Sequence, residues 1–450
     1  LMEHENKYNS CTRIPISDNQ DIDDIPFDIT KDTYSLIDQN SKLDLNVNIV
    51  EPEPDQLNSN YLTNDQQKVF DSISNIVKNK KNSIITLSSQ AGCGKTFVLN
   101  HLIDFGGLQD AKTTAPTNKA VTLLDGNNAS TIHSHLKLKL QPNFRDGGYE
   151  LVKTKGNTKW HNVLIVDESS MISSELHDYI LASDSFNHLI YVGDHNQLLP
   201  VDDSNADFTI FNLSNIYKFK LTKNMRTDNK NLHKLFNDVL LCDSWANIVD
   251  VLEAADVVDV VYDKKEFVED FLKVNRKSNE SGIIGAFTNK KVDLYNEVCR
   301  MMTLKGIEDP IHPDDILVMQ EGNGEDIKNA EHLRVKNWYK DIDNNAYVIN
   351  TICMKQFMTP MNWGIYNNKL KKLKNLGIKK KEWRNYYKFK EMYLDYRYHY
   401  ASTLHKLQGS TYRDVHLDLQ GLGMVDFDTV KRLVYVGLTR TSGDKVTVLL

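Results

Sequence analysis

A lysine followed by a hydroxyl residue, closing a run of glycines and small residues, is an arrangement that grips polyphosphate. Ser89-Gln90-Ala91-Gly92-Cys93-Gly94-Lys95-Thr96 has this form. Backbone N–H groups can wrap a phosphate at a helix N-terminus only where side chains are missing, here at Gly92 and Gly94, with Ala91 and Cys93 between and beside them. Lys95 is placed to reach the β- and γ-phosphates of ATP, and the Thr96 hydroxyl to ligate Mg²⁺. Ser89 stands where the usual pattern has its first glycine. A second group of reactive residues, Asp167-Glu168, directly follows the apolar run Val163-Leu164-Ile165-Val166. Asp167 suits the Mg²⁺ shell, and Glu168 suits the orientation and deprotonation of an attacking water. Adjacent acids after a strand are also common as solvated loop residues; the phosphate loop upstream favours chemistry. A third, Gly193-Asp194-His195-Asn196-Gln197, follows Leu189-Ile190-Tyr191-Val192, and makes Gln197 the candidate to sense a γ-phosphate. Gly-Asp there reads equally as a plain turn.

These residues need elements to hold them. Ser83-Ile84-Ile85-Thr86-Leu87 is a buried-strand run that leads into the glycine loop, and an amphipathic stretch continues through Ile103, giving strand, loop and helix. Upstream, Thr63 and Gln66 have the capping-box spacing, and Val69, Phe70, Ile73, Ile76 and Val77 recur at helical spacing, so a helix is predicted over about 63–80. The carboxylates and Gln197 belong at the C-terminal ends of parallel strands, where ligands of such sheets collect. The fold class is therefore α/β.

Composition bounds the rest. The 450 residues are 40% hydrophobic and 26% charged, ordinary globular material of about two to four domains. No apolar run approaches the roughly 20 residues of a membrane span, and Leu1-Met2-Glu3-His4 lacks the pattern of a secretion signal, so a cytoplasmic protein is expected. Five widely spaced cysteines without a CxxC pair support neither a disulfide framework nor a zinc site. The charge is uneven. Residues 1–58 hold thirteen Asp/Glu against four Lys/Arg, a local balance of −9 in a chain whose total is −7, which leaves +2 for everything else. This acidic extension reads as flexible, either a solubilising tail or an arm competing for a basic groove. In contrast, 355–400 holds ten Lys and two Arg against three acids, with eleven aromatics interleaved.

The order of motifs resembles superfamily 1B, the RecD-like, 5′-to-3′ branch of superfamily 1 DNA helicases, and most closely its Dda-like group. The resemblance spans about residues 60–450. It rests on Leu62-Thr63-Asn64-Asp65-Gln66, the loop 90–96, Ala115-Pro116-Thr117-Asn118-Lys119-Ala120, Ser130-Thr131-Ile132-His133-Ser134, Asp167-Glu168-Ser169-Ser170 and 193–200. Further on it includes Ala286-Phe287-Thr288-Asn289, Ser402-Thr403-Leu404-His405-Lys406-Leu407-Gln408-Gly409 and Tyr435-Val436-Gly437-Leu438-Thr439-Arg440. It implies two RecA-like lobes with a β-hairpin pin insertion and an SH3-like barrel insertion carrying the extra basic segment. The first lobe (1A) would span 59–222, with the pin (1B) at 136–160. The second lobe (2A) would comprise 223–300 and 399–450, and the barrel and tower (2B) 301–398.

By the same resemblance Gln66 reads the adenine edge, in addition to or in place of its capping-box role. Gln197 is the γ-phosphate sensor, and Arg226 and Arg440 are arginine fingers. Pro116, Thr117, Asn118, His133, Thr403, His405 and Lys406 become contacts to single-stranded DNA; without it, a lone histidine is more often a satisfied structural residue. At the pin, Phe144 or Tyr149 near the tip is placed to press on a terminal base pair, against the alternative of cross-strand packing. In the basic segment, Trp383 or Tyr386 is a candidate for base stacking, while Leu370, Leu373 and Leu376 at helical spacing offer a solvated charged helix instead. The implied activity is ATP- and Mg²⁺-dependent 5′-to-3′ translocation and unwinding in phage replication or recombination. The expected protein is a monomer acting on single strands and single/double-strand junctions, with a single-strand-binding or replisome protein as partner. Two rivals stand beside it. One is a RecD-like subunit or protein-stripping translocase; the other is a nucleotide-switched structural component of a virus particle.

Overall fold

The structure, a computed structural model, describes residues 62–450 apart from 123, 125–127, 143–148, 155, 157, 201–207, 224, 226–228, 278–280, 305–308, 314, 324–325 and 382. Backbone alone is described at 119, 122, 140, 142, 149–151, 276–277 and 424. The acidic extension and the residues Phe144 and Arg226 lie outside the described residues.

Strands β1 (Ser83–Ser89), β2 (Lys112–Ala115), β3 (Ala129–Thr131), the pair β4 (Leu138–Pro142) and β5 (Tyr149–Lys153), then β6 (His161–Val166), β7 (Phe186–Gly193) and β8 (Tyr217–Leu221) make up the N-terminal half. Six of them form one parallel sheet in the order β3-β2-β6-β7-β1-β8. Parallel strands covered on both faces read as continuous apolar runs, and Val163 to Val166 and Leu189 to Val192 are all at most 1% exposed. Helix Asn64–Asn79 begins at the predicted capping box: the Gln66 N–H donates to Thr63 Oγ1 and the Thr63 N–H to Gln66 Oε1. Its apolar stripe, Val69, Ile73 and Val77, joins Leu99 and Leu102 of helix Lys95–Phe105 on one face of the sheet. β4 and β5 pair antiparallel with each other alone, projecting as a hairpin from the predicted stretch.

The second parallel sheet has the order β16-β10-β17-β18-β9. It is built from β9 (Val258–Val261), β10 (Gly282–Ala286) and, after an insertion, β16 (Ala401–Thr403), β17 (Asp414–Asp418) and β18 (Val446–Leu449). Helices Lys230–Leu241, Trp245–Ala254 and Phe427–Leu438 bury Leu232, Phe236, Ile248, Leu433 and Val434 against one of its faces. The insertion contributes an antiparallel sheet, β14-β13-β12-β11-β15, from β11 (Ile316–Met319), β12 (His332–Asp341), β13 (Ala346–Thr351), β14 (Gln356–Pro360) and β15 (Tyr396–Tyr398). No ladder joins its two edge strands, although the Leu394 N–H donates to Met358 O nearby.

The basic segment forms helices Trp363–Lys380 and Arg384–Glu391. Their aromatics pack on each other: Tyr366 stacks on Phe389 at 5.3 Å, and Trp383 is 1% exposed against Gly377. Trp383 is thus a core residue of the helix pair and unavailable to a base, while the lysines 371, 372, 379, 380 and 381 face solvent. Among the described residues no helix is long and apolar enough to cross a membrane.

Candidate active site

The glycine loop, Asp167-Glu168 and the 193–197 segment follow β1, β6 and β7, three contiguous strands, and so share one C-terminal sheet edge. Gly92 (φ 87°) and Gly94 (φ 76°) adopt the left-handed conformation that glycine accepts without strain. A Cβ on Gly94 would stand 2.6 Å from Gln66 Nε2. Gln66 is buried; its amide accepts from the Thr63 N–H and donates to Cys93 O at 3.3 Å, so one side chain caps the helix and braces the loop. The Lys95 ammonium donates to Ser89 O (3.1 Å), Ser89 Oγ (3.2 Å) and Gln90 O (3.2 Å). The serine at the atypical position is therefore part of the lysine's cradle.

Asp167 and Glu168 sit beside each other at the end of β6. The Glu168 N–H donates to Asp167 Oδ1 at 2.8 Å, and Glu168 takes a left-handed φ of 50°, uncommon for a residue with a Cβ. Burial pushes the Asp167 carboxyl up to about 7, and the Glu168 charge pushes the same way. The Glu168 N–H and the Lys95 ammonium oppose them. A cation placed against this carboxylate is thus strongly favoured. Gln197 is 3% exposed, and its Oε1 has no hydrogen-bond partner. An orphaned buried oxygen in a site of this kind marks a place for a polar ligand.

The second sheet's C-terminal segment reaches this edge. Arg440, 2% exposed, donates from Nε to Val436 O (2.9 Å), from NH2 to Thr439 Oγ1 (2.8 Å) and from NH1 to Ser410 O (3.3 Å). Burial lowers its pKa from the ordinary value, while the nearby Glu168, Tyr435 and Asp194 favour its charged form. The Tyr435 hydroxyl donates to Asp194 Oδ2 (2.8 Å) and accepts from the Ala91 N–H (3.3 Å). Arg432 NH1 donates to His195 O (2.7 Å) and Gln197 O (2.8 Å). Gln408 Nε2 donates to Ser170 Oγ, and a Cβ on Gly409 would lie 3.8 Å from Glu168 Oε1. The Met225 N–H donates to Gly92 O at 2.6 Å, which brings the segment preceding Arg226 onto the glycine loop. Tyr435, Arg432 and Gln408 are contacts that sequence reasoning missed. Tyr435 and Gln408 lay inside quoted motifs, but nothing local says which side chains cross the seam.

The candidate DNA-contacting residues occupy two copies of one local design. Ala115-Pro116-Thr117-Asn118-Lys119 ends β2, and Ala286-Phe287-Thr288-Asn289-Lys290 ends β10. Ala129-Ser130-Thr131-Ile132-His133 runs through β3, and Ala401-Ser402-Thr403-Leu404-His405 through β16. The registers coincide, Ala115 opposite Thr131 and Ala286 opposite Thr403. In all four copies the threonine hydroxyl accepts from the N–H three residues on: Ala120, Lys291, Ser134 and Lys406. Thr117, Asn118, His405 and Lys406 are exposed, Pro116 and His133 half-buried, and Thr403 buried. Burial lowers the pKa of His133, favouring its neutral ring. Lys406 Nζ donates to Gln320 Oε1 at 2.6 Å, tying this module to the antiparallel sheet. Pairs of A-x-T-N-K and A-S-T-x-H in one chain were a readable signal, too short for a search at repeat lengths.

The residues fit ATP with Mg²⁺: a glycine cradle and Lys95 for the phosphates, Thr96 with Asp167 as hard-oxygen ligands, and an orphaned Gln197 oxygen that can accept from a water beside the γ-phosphate. Among the described residues no group of three or more His, Cys, Asp or Glu could cage a metal.

A family model described as an AAA domain matches residues 73–203. The ATP-dependent DNA helicase dda of Enterobacteria phage T4 is 25% identical over 444 residues, covering 84% of this chain and 97% of that protein. Among solved structures, Bacteroides Pif1 bound to ssDNA is similar with a TM-score of 0.53 at 17% identity, covering 86% of this chain and 92% of that one. A structure of two coordinating Pif1 helicases on forked dsDNA gives 0.51 at 16% identity, with the same coverage. At such identity the structures establish the fold, two RecA-like parallel sheets.

Proposed function

From the chain's place in superfamily 1B, close to Dda, we propose that it is an ATP-dependent DNA helicase that moves 5′-to-3′ along single strands and opens duplex ahead of it. The observation that carries the reading is the seam: Tyr435 of the second sheet's C-terminal segment bonds Asp194 and the Ala91 N–H of the first, and the buried Arg440 five residues on lies within the electrostatic reach of Glu168. A passive nucleotide switch has no use for a water-activating carboxylate facing a cation from another lobe.

In the reaction, water attacks the γ-phosphorus, the γ-phosphoanhydride bond breaks, and ADP and inorganic phosphate form. Glu168 orients the water and takes its proton. Lys95 leaves its carbonyl contacts for the phosphates, and Arg440 stabilises the charge that develops on the phosphoryl oxygens, with Arg226 as the second arginine finger that the family resemblance implies. Bound Mg²⁺, held by Thr96 and Asp167, supplies Lewis-acid polarisation. Gln197 reports the γ-phosphate, and Gln66 the adenine through its remaining amide N–H. Loss of the γ-phosphate removes the charge that draws the two lobes together, so the seam loosens once per turnover.

DNA lies across the paired modules. Thr117, Asn118 and Pro116 with His133 hold phosphates on one lobe, and Thr403, His405 and Lys406 on the other. The doubled design supports this track, since one repeating backbone met by two identical grips is what a stepping motor requires. The hairpin of β4 and β5 splits the duplex, with Phe144 or Tyr149 as the aromatic that presses on the terminal base pair. The working setting is viral replication or recombination in the host cytoplasm, as a monomer that meets a single-strand-binding or replisome protein.

Forked substrates test the reading. With ATP and Mg²⁺, duplexes with a 5′ single-stranded tail open and those with only a 3′ tail do not, and Lys95→Ala opens neither. Preferential opening of the 3′-tailed duplex overturns the direction; hydrolysis indifferent to single strands overturns the motor.

A further inference from the structure

Side chains from the second sheet's side of the molecule reach the first sheet's 194–198 loop at several points. Arg432 and Tyr435 lie three residues apart on helix Phe427–Leu438 and so project from one face of it. Arg432 takes the carbonyls of His195 and Gln197 with a single guanidinium nitrogen, at 2.7 and 2.8 Å. Tyr435 takes the carboxylate of Asp194, which is fully buried. Between the two polar contacts and the strand that follows, Leu198 of the same loop inserts into the second sheet's core beside Leu232, Phe236 and Leu433. The opposite end of the Tyr435 hydroxyl meets the phosphate loop itself, at the Ala91 N–H. Gln197, whose Oε1 faces no partner, thus has its backbone fixed from the far lobe and its side chain free to answer to a ligand.

We infer that Arg432 and Tyr435 are positioning residues that make the Gln197 loop the mechanical link between ATP and the DNA-holding second lobe. Tyr435 is the sharper of the two. Its hydroxyl is shared between the phosphate loop and the Asp194 carboxylate, so any shift of the Ala91 backbone on γ-phosphate loss is passed to helix Phe427–Leu438. Arg432 keeps the loop in register with that helix while it moves. The helix ends at Leu438, and Arg440 two residues beyond it is still tied back to the last turn through its Nε–Val436 O bond, so the link and the cationic finger move with one helix. This rests on the helicase reading above.

The test uses the full chain with Tyr435→Phe, which removes one oxygen and keeps the ring, with Arg432→Gln, and with the double variant. Steady-state hydrolysis is measured with poly(dT), and translocation by displacement of streptavidin from a biotinylated strand end. Each single variant is expected to lose about tenfold or more in DNA-stimulated kcat, with KM for ATP moving less than about threefold, as for groups that position the sensor loop without touching ATP. Because both residues act through one loop, the double variant falls no further than the worse single one, whereas two independent structural defects would multiply. Arg432→Lys, which keeps the charge but loses the Nε bond to Asp428 that aims the guanidinium, recovers only part of the rate. Thermal unfolding of each variant within a few degrees of the parent excludes misfolding; should Arg432→Gln fail that control, Tyr435→Phe alone decides. Single variants within twofold of the parent in stimulated kcat and displacement overturn the link while leaving the motor standing. A parent chain that hydrolyses ATP without response to poly(dT) overturns the motor and the link with it.

Discussion

Glu168 and Lys95 do opposite electrostatic work at one sheet edge, and substitution separates them. Glu168→Gln keeps shape and removes the base, so hydrolysis is expected to fall by about 10²–10⁴-fold with nucleotide binding retained. Lys95→Ala is expected to lose nucleotide binding as well, which filter retention of labelled ATP distinguishes. Titration offers a second check, away from the site. Burial drives the imidazoles of His135 and His399 down to about 4 from the ordinary 6.5, helped by His161, Lys112 and Lys137 around the first, and by His332 and Arg334 around the second. Between those values the unfolded chain binds more protons than the folded one, so stability is full above about 6.5 and falls as pH drops towards 4. The urea midpoint should decline across that window, and less steeply in His135→Asn; a flat midpoint between pH 7 and 4.5 contradicts it.

Helices and strands explain what was legible beforehand. The strand, glycine loop and helix around Lys95, the capping box at Thr63, and the two acids after β6 were readable because each depends on neighbours within about ten residues. Trp383 was not. A basic, aromatic stretch looks alike whether its rings meet bases or each other, and only the return of the chain against Gly377 decides. Gly377→Ala would put a Cβ 2.7 Å from the Trp383 ring, so it is expected to destabilise the helix pair by about 1–3 kcal/mol, seen as a lowered unfolding temperature. Arg432 was equally hidden: three residues from Tyr435 on an amphipathic helix, it looks like any solvated cation until the partner loop is placed. The hairpin β4–β5 pairs with neither sheet, so replacing 139–152 by a short Gly-Ser turn should leave poly(dT)-stimulated hydrolysis within a few-fold of the parent while fork opening is lost. Retained opening would assign strand separation elsewhere.

At the scale of the whole molecule, two parallel sheets share a seam, and each carries one copy of the same threonine-capped module at its edge. In the proposed function, ATP at the seam and a strand across the modules would let one closure shift one grip relative to the other. Everything depends on a cation from the far end of the chain acting on what Lys95 holds. The most direct measurement is single-turnover hydrolysis of ATP on poly(dT) by Arg440→Lys, with binding of a fluorescent ATP analogue followed in the same preparation. The analogue should bind within a few-fold of the parent while hydrolysis slows by about 10³-fold or more, the loss characteristic of an arginine finger. Hydrolysis by Arg440→Lys at a rate within a few-fold of the parent would contradict chemistry at the seam, and with it the coupling of ATP to motion.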